Sequence, residues 1–189
     1  SGDDEINTGA GDDVVYTTDG EATDTNTIDL GSGNDEFYGG AGKDIVNSGS
    51  GSNIIHTGAG RDEVNTTAAN EGDLNKVYLG AGGDTFEGGK GRDIVDGGVA
   101  DSGEYDINEV RLGGGNDEYY GGAGIDKVHG GSGDDYISGG ANADFLYGDG
   151  GNDIIDGGDG DNELYGGTGN DKIYAGSGND TIKAGTGAD

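Results

Sequence analysis

The sequence predicts an all-β, parallel solenoid, built by coiling one short unit over and over. Three observations carry this. A nine-residue unit recurs along essentially the whole chain of 189 residues. One large apolar residue falls at the same place in each unit, which is too little for an isolated strand but enough for a thin core once units stack. Glycine, 47 residues in all, gathers in the other part of the unit, where a tight turn needs it, and proline is absent.

The unit is plainest from 112 to 183: LGGGNDEYY, GGAGIDKVH, GGSGDDYIS, GGANADFLY, GDGGNDIID, GGDGDNELY, GGTGNDKIY and AGSGNDTIK. It reads G-G-x-G-x-D-x-U-x, with U apolar. The first six positions are turn material, because glycine reaches positive φ at no steric cost and Asp and Asn favour turns. The last three are strand, with U on one face and its neighbours on the other. Position 8 is Ile6, Val15, Ile28, Phe37, Val46, Ile55, Val64, Val77, Phe86, Val95, Val110, Tyr119, Val128, Ile137, Leu146, Ile155, Leu164, Ile173 and Ile182. Position 6 is Asp4, Asp13, Asp35, Asp44, Asp62, Asp84, Asp93, Asp117, Asp126, Asp135, Asp144, Asp153, Asp171, Asp180 and Asp189, with Asn26, Asn53, Asn75, Asn108 and Asn162 in the remaining units. A turn preference explains acidic residues in a loop, but not their fixed spacing to both G-x-G and U.

Three units are longer, at 17–29, 66–78 and 97–111. Each closes with Asp-x-Asn-x-apolar (Asp24 to Ile28, Asp73 to Val77, Asp106 to Val110) and is followed by x-L-G. The inserts, Glu21–Asp24, Asn70–Asp73 and the longer Val99–Asp106, therefore sit in turns and leave the following strand intact. The chain reads as one block, 1–189, interrupted up to 111 and regular over 112–189. It starts and stops in mid-unit without a capping unit, so it is expected to be a block cut from a larger protein, or the ordered part of one.

Composition narrows the function classes. The formal charge is -30, from 39 acidic and 9 basic residues, which argues against nucleic acid or an anionic membrane as direct partner. No stretch has the roughly 20 apolar residues of a membrane span, and no basic-then-apolar leader is present. Without cysteine there is no disulfide framework or thiolate metal site. Low hydrophobicity with high charge would ordinarily mean disorder, and the strict periodicity opposes that.

The nonapeptide closely resembles the RTX (repeats-in-toxin, haemolysin-type) calcium-binding repeat, over essentially the whole chain. The resemblance implies a right-handed roll with two nonapeptides per 18-residue coil and calcium in the turns. The residues support the metal independently. Calcium takes six to eight oxygens in flexible geometry. The curled turns offer backbone carbonyls, in the regular block those of Gly113, Gly115, Gly122, Gly124, Gly131, Gly133, Gly158, Gly160, Gly167 and Gly169, and position 6 adds a carboxylate or the weaker amide oxygen. Asp24, Asp73 and Asp106 are candidate substitute ligands beside the inserts. Stacked turns of this kind would hold roughly 12–16 ions at about one per gap, nearly cancelling the charge. Magnesium demands stricter geometry, and zinc or copper would want His or Cys clusters. Burial of one apolar residue per unit falls far short of the ordering entropy of so glycine-rich a chain, so the metal-free chain is expected to be unfolded or loosely collapsed.

The resemblance further implies a secreted or cell-surface protein of a Gram-negative type bacterium. Such a block crosses a type I secretion apparatus unfolded, then folds in external calcium with a C-terminal cap and the rest of the parent chain. A large toxin, adhesin or surface-layer protein is the expected parent. The alternatives are an accessory block of a secreted hydrolase or epimerase, and a calcium-bridged surface assembly contact. The block itself reads as no enzyme, since no nucleophile, base and orienter converge. His56 and His129 fall at the outward position 9, on opposite sides. Tyr16, Tyr38, Tyr78, Tyr120 and Tyr174 share one sheet, with Tyr147 and Tyr165 on the other, and the aromatic, acidic face is a candidate contact for a glycan or another protein. Outward apolar residues at position 7 (Ile45, Ile54, Ile94, Phe145, Ile154) mark a candidate covered patch.

Overall fold

The computed structural model describes residues 2–18, 20–99 and 106–189. Among them it has nineteen strands and no helix. In chain order they are β1 (Glu5–Asn7), β2 (Val14–Tyr16), β3 (Thr25–Asp29), β4 (Glu36–Tyr38), β5 (Lys43–Asn47), β6 (Ile54–His56), β7 (Glu63–Asn65), β8 (Leu74–Tyr78), β9 (Thr85–Glu87), β10 (Arg92–Asp96), β11 (Ile107–Arg111), β12 (Glu118–Tyr120), β13 (Ile125–Ser132), β14 (Tyr136–Ser138), β15 (Phe145–Gly150), β16 (Ile154–Asp156), β17 (Glu163–Thr168), β18 (Lys172–Tyr174) and β19 (Thr181–Thr186). Each contains one position-8 residue.

Odd strands pair with odd and even with even, all parallel. They form a ten-stranded sheet running from β1 to β19 and a nine-stranded sheet running from β2 to β18. Successive units thus alternate between sheets, and two units make one coil. The register places position 8 on position 8 throughout: Ile6 on Ile28, Ile28 on Val46, Val15 on Phe37, Phe37 on Ile55. Lengthened units do not disturb it. Val64 still pairs with Phe86, and Phe86 with Val110, across coils extended by inserts. The residues expected in the third insert lie largely outside the described residues, at 100–105.

The two sheets face each other across a core one side chain deep from each. All position-8 residues from Val15 to Leu164 are buried in a single cluster, with Ile6 and Ile173 partly buried at its ends. Ile182 is 47% exposed. The cluster also contains Leu30, Leu79 and Leu112, each fully buried. These open the unit after each insert, so the x-L-G phrase adds core exactly where the turn is enlarged, a role its sequence position did not announce.

The turns depend on glycine at two places per unit. Gly133 shows why: its φ is +128°, and a Cβ there would run into the carbonyl of Gly115 on the coil below. Where the unit lacks the expected glycine, Asn142 (φ 81°) and Asp149 (φ 68°) take the left-handed conformation. They are the residue types that tolerate it best.

Candidate metal centre

The position-6 residues form two columns, one along each edge of the roll. One holds Asp4, Asn26, Asp44, Asp62, Asp84, Asn108, Asp126, Asp144, Asn162 and Asp180. The other holds Asp13, Asp35, Asn53, Asn75, Asp93, Asp117, Asp135, Asp153, Asp171 and Asp189. Within a column each side chain is bound to the coil below. Asp35 Oδ1 accepts from the Asp13 N–H at 2.9 Å, Asp62 Oδ1 from Asp44 at 2.8 Å, Asp135 Oδ1 from Asp117 at 2.8 Å and Asp153 Oδ1 from Asp135 at 2.9 Å. The same bond reaches the column ends, from Asp4 to Asn26, from Asn162 to Asp180 and from Asp171 to Asp189.

The second carboxylate oxygen has no such partner. Oδ2 of Asp13, Asp35, Asp44, Asp62, Asp84, Asp117, Asp126, Asp135, Asp144, Asp153 and Asp171 is buried without a hydrogen bond among the described residues. A buried charged acceptor left unsatisfied costs at least ~1–3 kcal/mol, and this chain carries a column of them on each edge. Burial pushes the carboxyls of Asp35, Asp44, Asp62, Asp84, Asp117, Asp126, Asp135, Asp144 and Asp153 up. Asp62 and Asp135 rise to about 6, Asp84, Asp144 and Asp153 to about 7, and Asp117 and Asp126 to about 8. Asp93 rises to about 6 for the same reason, against donors from Asn75 and Thr66 that oppose it.

The Asn units show what surrounds that oxygen. Asn53 Nδ2 lies 3.3 Å from the carbonyl of Ser48, 3.3 Å from the carbonyl of Gly51 and 3.3 Å from Oδ1 of Asn75 on the next coil. Asn162 Nδ2 likewise meets the carbonyl of Gly160 at 3.3 Å, and Asn108 Nδ2 the carbonyl of Gly97 at 3.4 Å. The amide orientation is forced, since Oδ1 is taken by a backbone N–H and oxygens surround the nitrogen. With Asp in place of Asn, an acceptor would stand among acceptors. Only a proton or a cation reconciles them.

The model for the RTX calcium-binding nonapeptide repeat matches at residues 1–21, 22–55, 38–70, 75–101, 103–128, 111–146, 120–155, 129–164 and 156–189. The chain belongs to the RTX calcium-binding repeat family. No curated protein matches it as a relative.

The residues fit the ion that RTX repeats bind. The donor set is oxygen throughout: one carboxylate per turn, with backbone carbonyls around it, as a hard cation requires. No group of three or more His, Cys, Asp or Glu side chains among the described residues could hold a metal ion, and the oxygens seen around the position-6 side chain in the Asn units include the main-chain carbonyls of Ser48, Gly51, Gly97 and Gly160. Calcium brings the positive charge that these oxygens lack.

The carbonyls divide by place. Those of Gly113, Gly122 and Gly158 each accept an N–H from the coil above, from Ser132, Ala141 and Ser177 at 2.9, 2.9 and 2.8 Å. Gly131 and Gly167 lie within paired stretches of β13, β15, β17 and β19. Gly115, Gly133, Gly160 and Gly169 hold the place that Gly51 holds beside Asn53, in left-handed conformation. Gly124 stands at the same position in a turn without it. Ser48 and Gly97, each the first residue of its unit, also turn their carbonyls toward the position-6 side chain. That was not legible, because any residue type supplies a carbonyl.

Asp24 and Asp73 stand outside the columns. Asp24 Oδ2 accepts the N–H groups of Gly2 and Glu21 at 2.9 and 2.8 Å, and these bonds hold its carboxyl below the usual range. Asp73 Oδ2 accepts those of Asn70 and Gly51 at 2.7 and 3.1 Å, with the same effect, led by Asn70. Both carboxylates brace insert turns. Asp106 gives its carbonyl to the N–H of Ile125 at 2.8 Å.

A second ladder escaped the sequence reading. Side chains at position 5 accept the position-5 N–H of the coil above: Asp12 from Asn34, Asn34 from Ser52, Asn116 from Asp134, Asp134 from Asn152 and Asn152 from Asn170, at 2.7–3.0 Å. The frequent Asp and Asn at that position were its signal.

The aromatic residues fall as expected on opposite sheets, stacked along the roll. Tyr16, Tyr38, His56 and Tyr78 form one pile at 5.0, 5.1 and 4.3 Å, and His129, Tyr147 and Tyr165 another at 4.4 and 4.6 Å. Their planes are within 10° of parallel, so ring faces are turned to one another and the edges to solvent.

Proposed function

We propose that the chain is a calcium-triggered folding module of a secreted protein. The observation that carries this is the pair of columns of buried carboxylate oxygens without partners. At neutral pH they cannot be desolvated uncompensated. Ions that bind only the folded chain then convert ligand concentration into folding free energy. At ten times the dissociation constant each site adds ~1.4 kcal/mol, so a dozen sites together decide the equilibrium. Loose, mostly neutral ligand sets belong with weak extracellular modules of Kd ~10⁻⁴–10⁻³ M. The chain is accordingly unfolded at cytosolic calcium and folded outside the cell. RTX repeats are typical of secreted proteins of Gram-negative bacteria, and this behaviour suits a type I-secreted toxin, adhesin or surface-layer protein. The block would enter the exporter unfolded and consolidate on exit.

Limited proteolysis at stepped free calcium tests the reading. The chain should be digested throughout at micromolar calcium and become resistant near ~1 mM. Equal digestion at every calcium level would contradict it.

A further inference from the structure

The three lengthened units differ from the rest of the columns in a way that calcium in every gap does not explain. We propose that they are clasps in which the Asn amide replaces a backbone donor, and that the one between Asn75 and Asp93 is metal-free: both oxygens of Asp93 take donors from the chain, whereas Oδ2 of Asp44, above Asn26, and of Asp126, above Asn108, has none among the described residues. The proposal rests on the calcium reading of the remaining gaps and assigns which gaps that reading covers.

The first observation is the donor itself. Asn26 Nδ2 donates to Asp44 Oδ1 at 2.8 Å, Asn75 Nδ2 to Asp93 Oδ1 at 2.8 Å and Asn108 Nδ2 to Asp126 Oδ1 at 3.0 Å. In ordinary gaps the corresponding bond to Oδ1 comes from a backbone N–H.

The second is a hydroxyl aimed at the same carboxylate. Thr17 Oγ1 donates to Asp44 at 3.4 Å and Thr66 Oγ1 to Asp93 at 3.3 Å. Both threonines open their lengthened units. The third lengthened unit opens with Gly97, and there the hydroxyl comes from the core instead. Tyr119 is fully buried, and its hydroxyl lies beside the Asn108–Asp126 pair, short of hydrogen-bonding geometry. A Cβ on Gly97 would stand 2.6 Å from that oxygen. Glycine at the threonine's place thus makes room for the tyrosine, whose hydroxyl makes no hydrogen bond among the described residues, so an amide and a hydroxyl both donate only at Asp44 and Asp93.

The third is the backbone. In the clasps strand pairing continues back through positions 5 and 6: Thr25 on Lys43, Leu74 on Arg92, Ile107 on Ile125. The N–H groups of Lys43, Arg92 and Ile125 bind the carbonyls of Asp24, Asp73 and Asp106 at 2.9, 2.9 and 2.8 Å. Gly42, Gly91 and Gly124 above them are not left-handed, unlike Gly33, Gly51 and Gly60. The turn that curls around an ion elsewhere is pulled straight into the sheet. The sequence favours this: Thr25, Leu74 and Ile107 prefer strand and offer no carboxylate or amide oxygen to the amide above, as Asp12, Asn34, Asn116, Asp134 and Asn152 do at the same position elsewhere.

Opposite responses to one substitution test the assignment, read as the calcium midpoint of folding by circular dichroism. Asn53→Asp restores an ordinary gap and should move the midpoint to lower calcium. Asn75→Asp sets two carboxylates against each other in a clasp, and should move it about tenfold higher. A downward shift for Asn75→Asp would overturn the clasp assignment. To keep the test independent of whether that variant folds, the side-chain amide signals of the unaltered chain provide a second reading by NMR at saturating calcium. Those of Asn26, Asn75 and Asn108 should be exchange-protected. Loss of that protection on saturation would also overturn the assignment. Absence of any calcium midpoint in the unaltered chain would overturn the calcium reading itself.

Discussion

The interrupted region up to Arg111 and the regular block from Leu112 onward are the same roll held together differently. The regular block has one Asn among its position-6 residues, Asn162, and Asp117, Asp126, Asp135, Asp144, Asp153 and Asp171 all bury an oxygen without a partner. The interrupted region has four Asn, at 26, 53, 75 and 108, the extra core residues Leu30 and Leu79, and the threonine hydroxyls of its clasps. Asp13, Asp35, Asp44, Asp62 and Asp84 bury such an oxygen too, so both regions lean on ions and the interrupted one adds hydrogen bonds and apolar burial to them. A solenoid tolerates this because each coil contacts only its neighbours, so stability is a sum of local terms.

Chelation should separate the two regions most strongly. As free calcium falls, amides of 112–189 should lose hydrogen-exchange protection at higher calcium than those between β3 and β10. Simultaneous loss in both would break the comparison.

Core truncation comes next. Leu79→Ala should cost about 2–5 kcal/mol at saturating calcium, measured by denaturant titration, because the side chain is fully buried. It should leave the ion count unchanged.

Paired substitutions sharpen the contrast further. Asp135→Ala takes a ligand from two gaps, and native mass spectrometry should show about two fewer ions. Asn75→Ala should release none while costing about 1.5–3 kcal/mol, since the Asp93 carboxylate loses a donor. Equal loss of ions from both would erase the distinction.

The pH dependence follows from the raised carboxyls. Their folded-state values, about 6 for Asp62, Asp93 and Asp135, about 7 for Asp84, Asp144 and Asp153 and about 8 for Asp117 and Asp126, lie above the ordinary 3.8. For the ion-free chain, the stability they contribute is fully present below about pH 4 and is lost as pH rises through 6 to 8. Chelated protein should therefore gain β structure on acidification. With calcium the sign reverses, since protons compete with the ion for the same oxygens.

The smallest effect belongs to the aromatic piles. Tyr38→Leu should cost about 0.5–1.5 kcal/mol, by denaturant titration, with calcium uptake unchanged.

How much of this the sequence shows depends on whether side-chain identity or main-chain geometry decides. Periodicity of the apolar residue located every strand, because alternation and stacking leave no other arrangement that buries it. The Asp and Asn columns were legible for the same reason. The carbonyls of Ser48 and Gly97 were not, since main-chain oxygens leave no trace in residue type. Asp24 and Asp73 look like ligands by composition and spacing, yet local amides claim them first. Leu30, Leu79 and Leu112 sit at a position that is glycine in most regular units, so the repeat pattern concealed their burial. The clasps were half visible: Asn after each insert was plain, but the turn straightening that gives it meaning is a matter of backbone pairing.

The most direct test of the central claim is far-UV circular dichroism of the chain at neutral pH through a calcium titration, with magnesium as control. The account predicts a coil spectrum in chelator and a steep change to β on adding calcium, with magnesium ineffective at the same concentration. A β spectrum already present in chelator and unchanged by calcium would contradict it, because the buried carboxylates would then be stable without the ion.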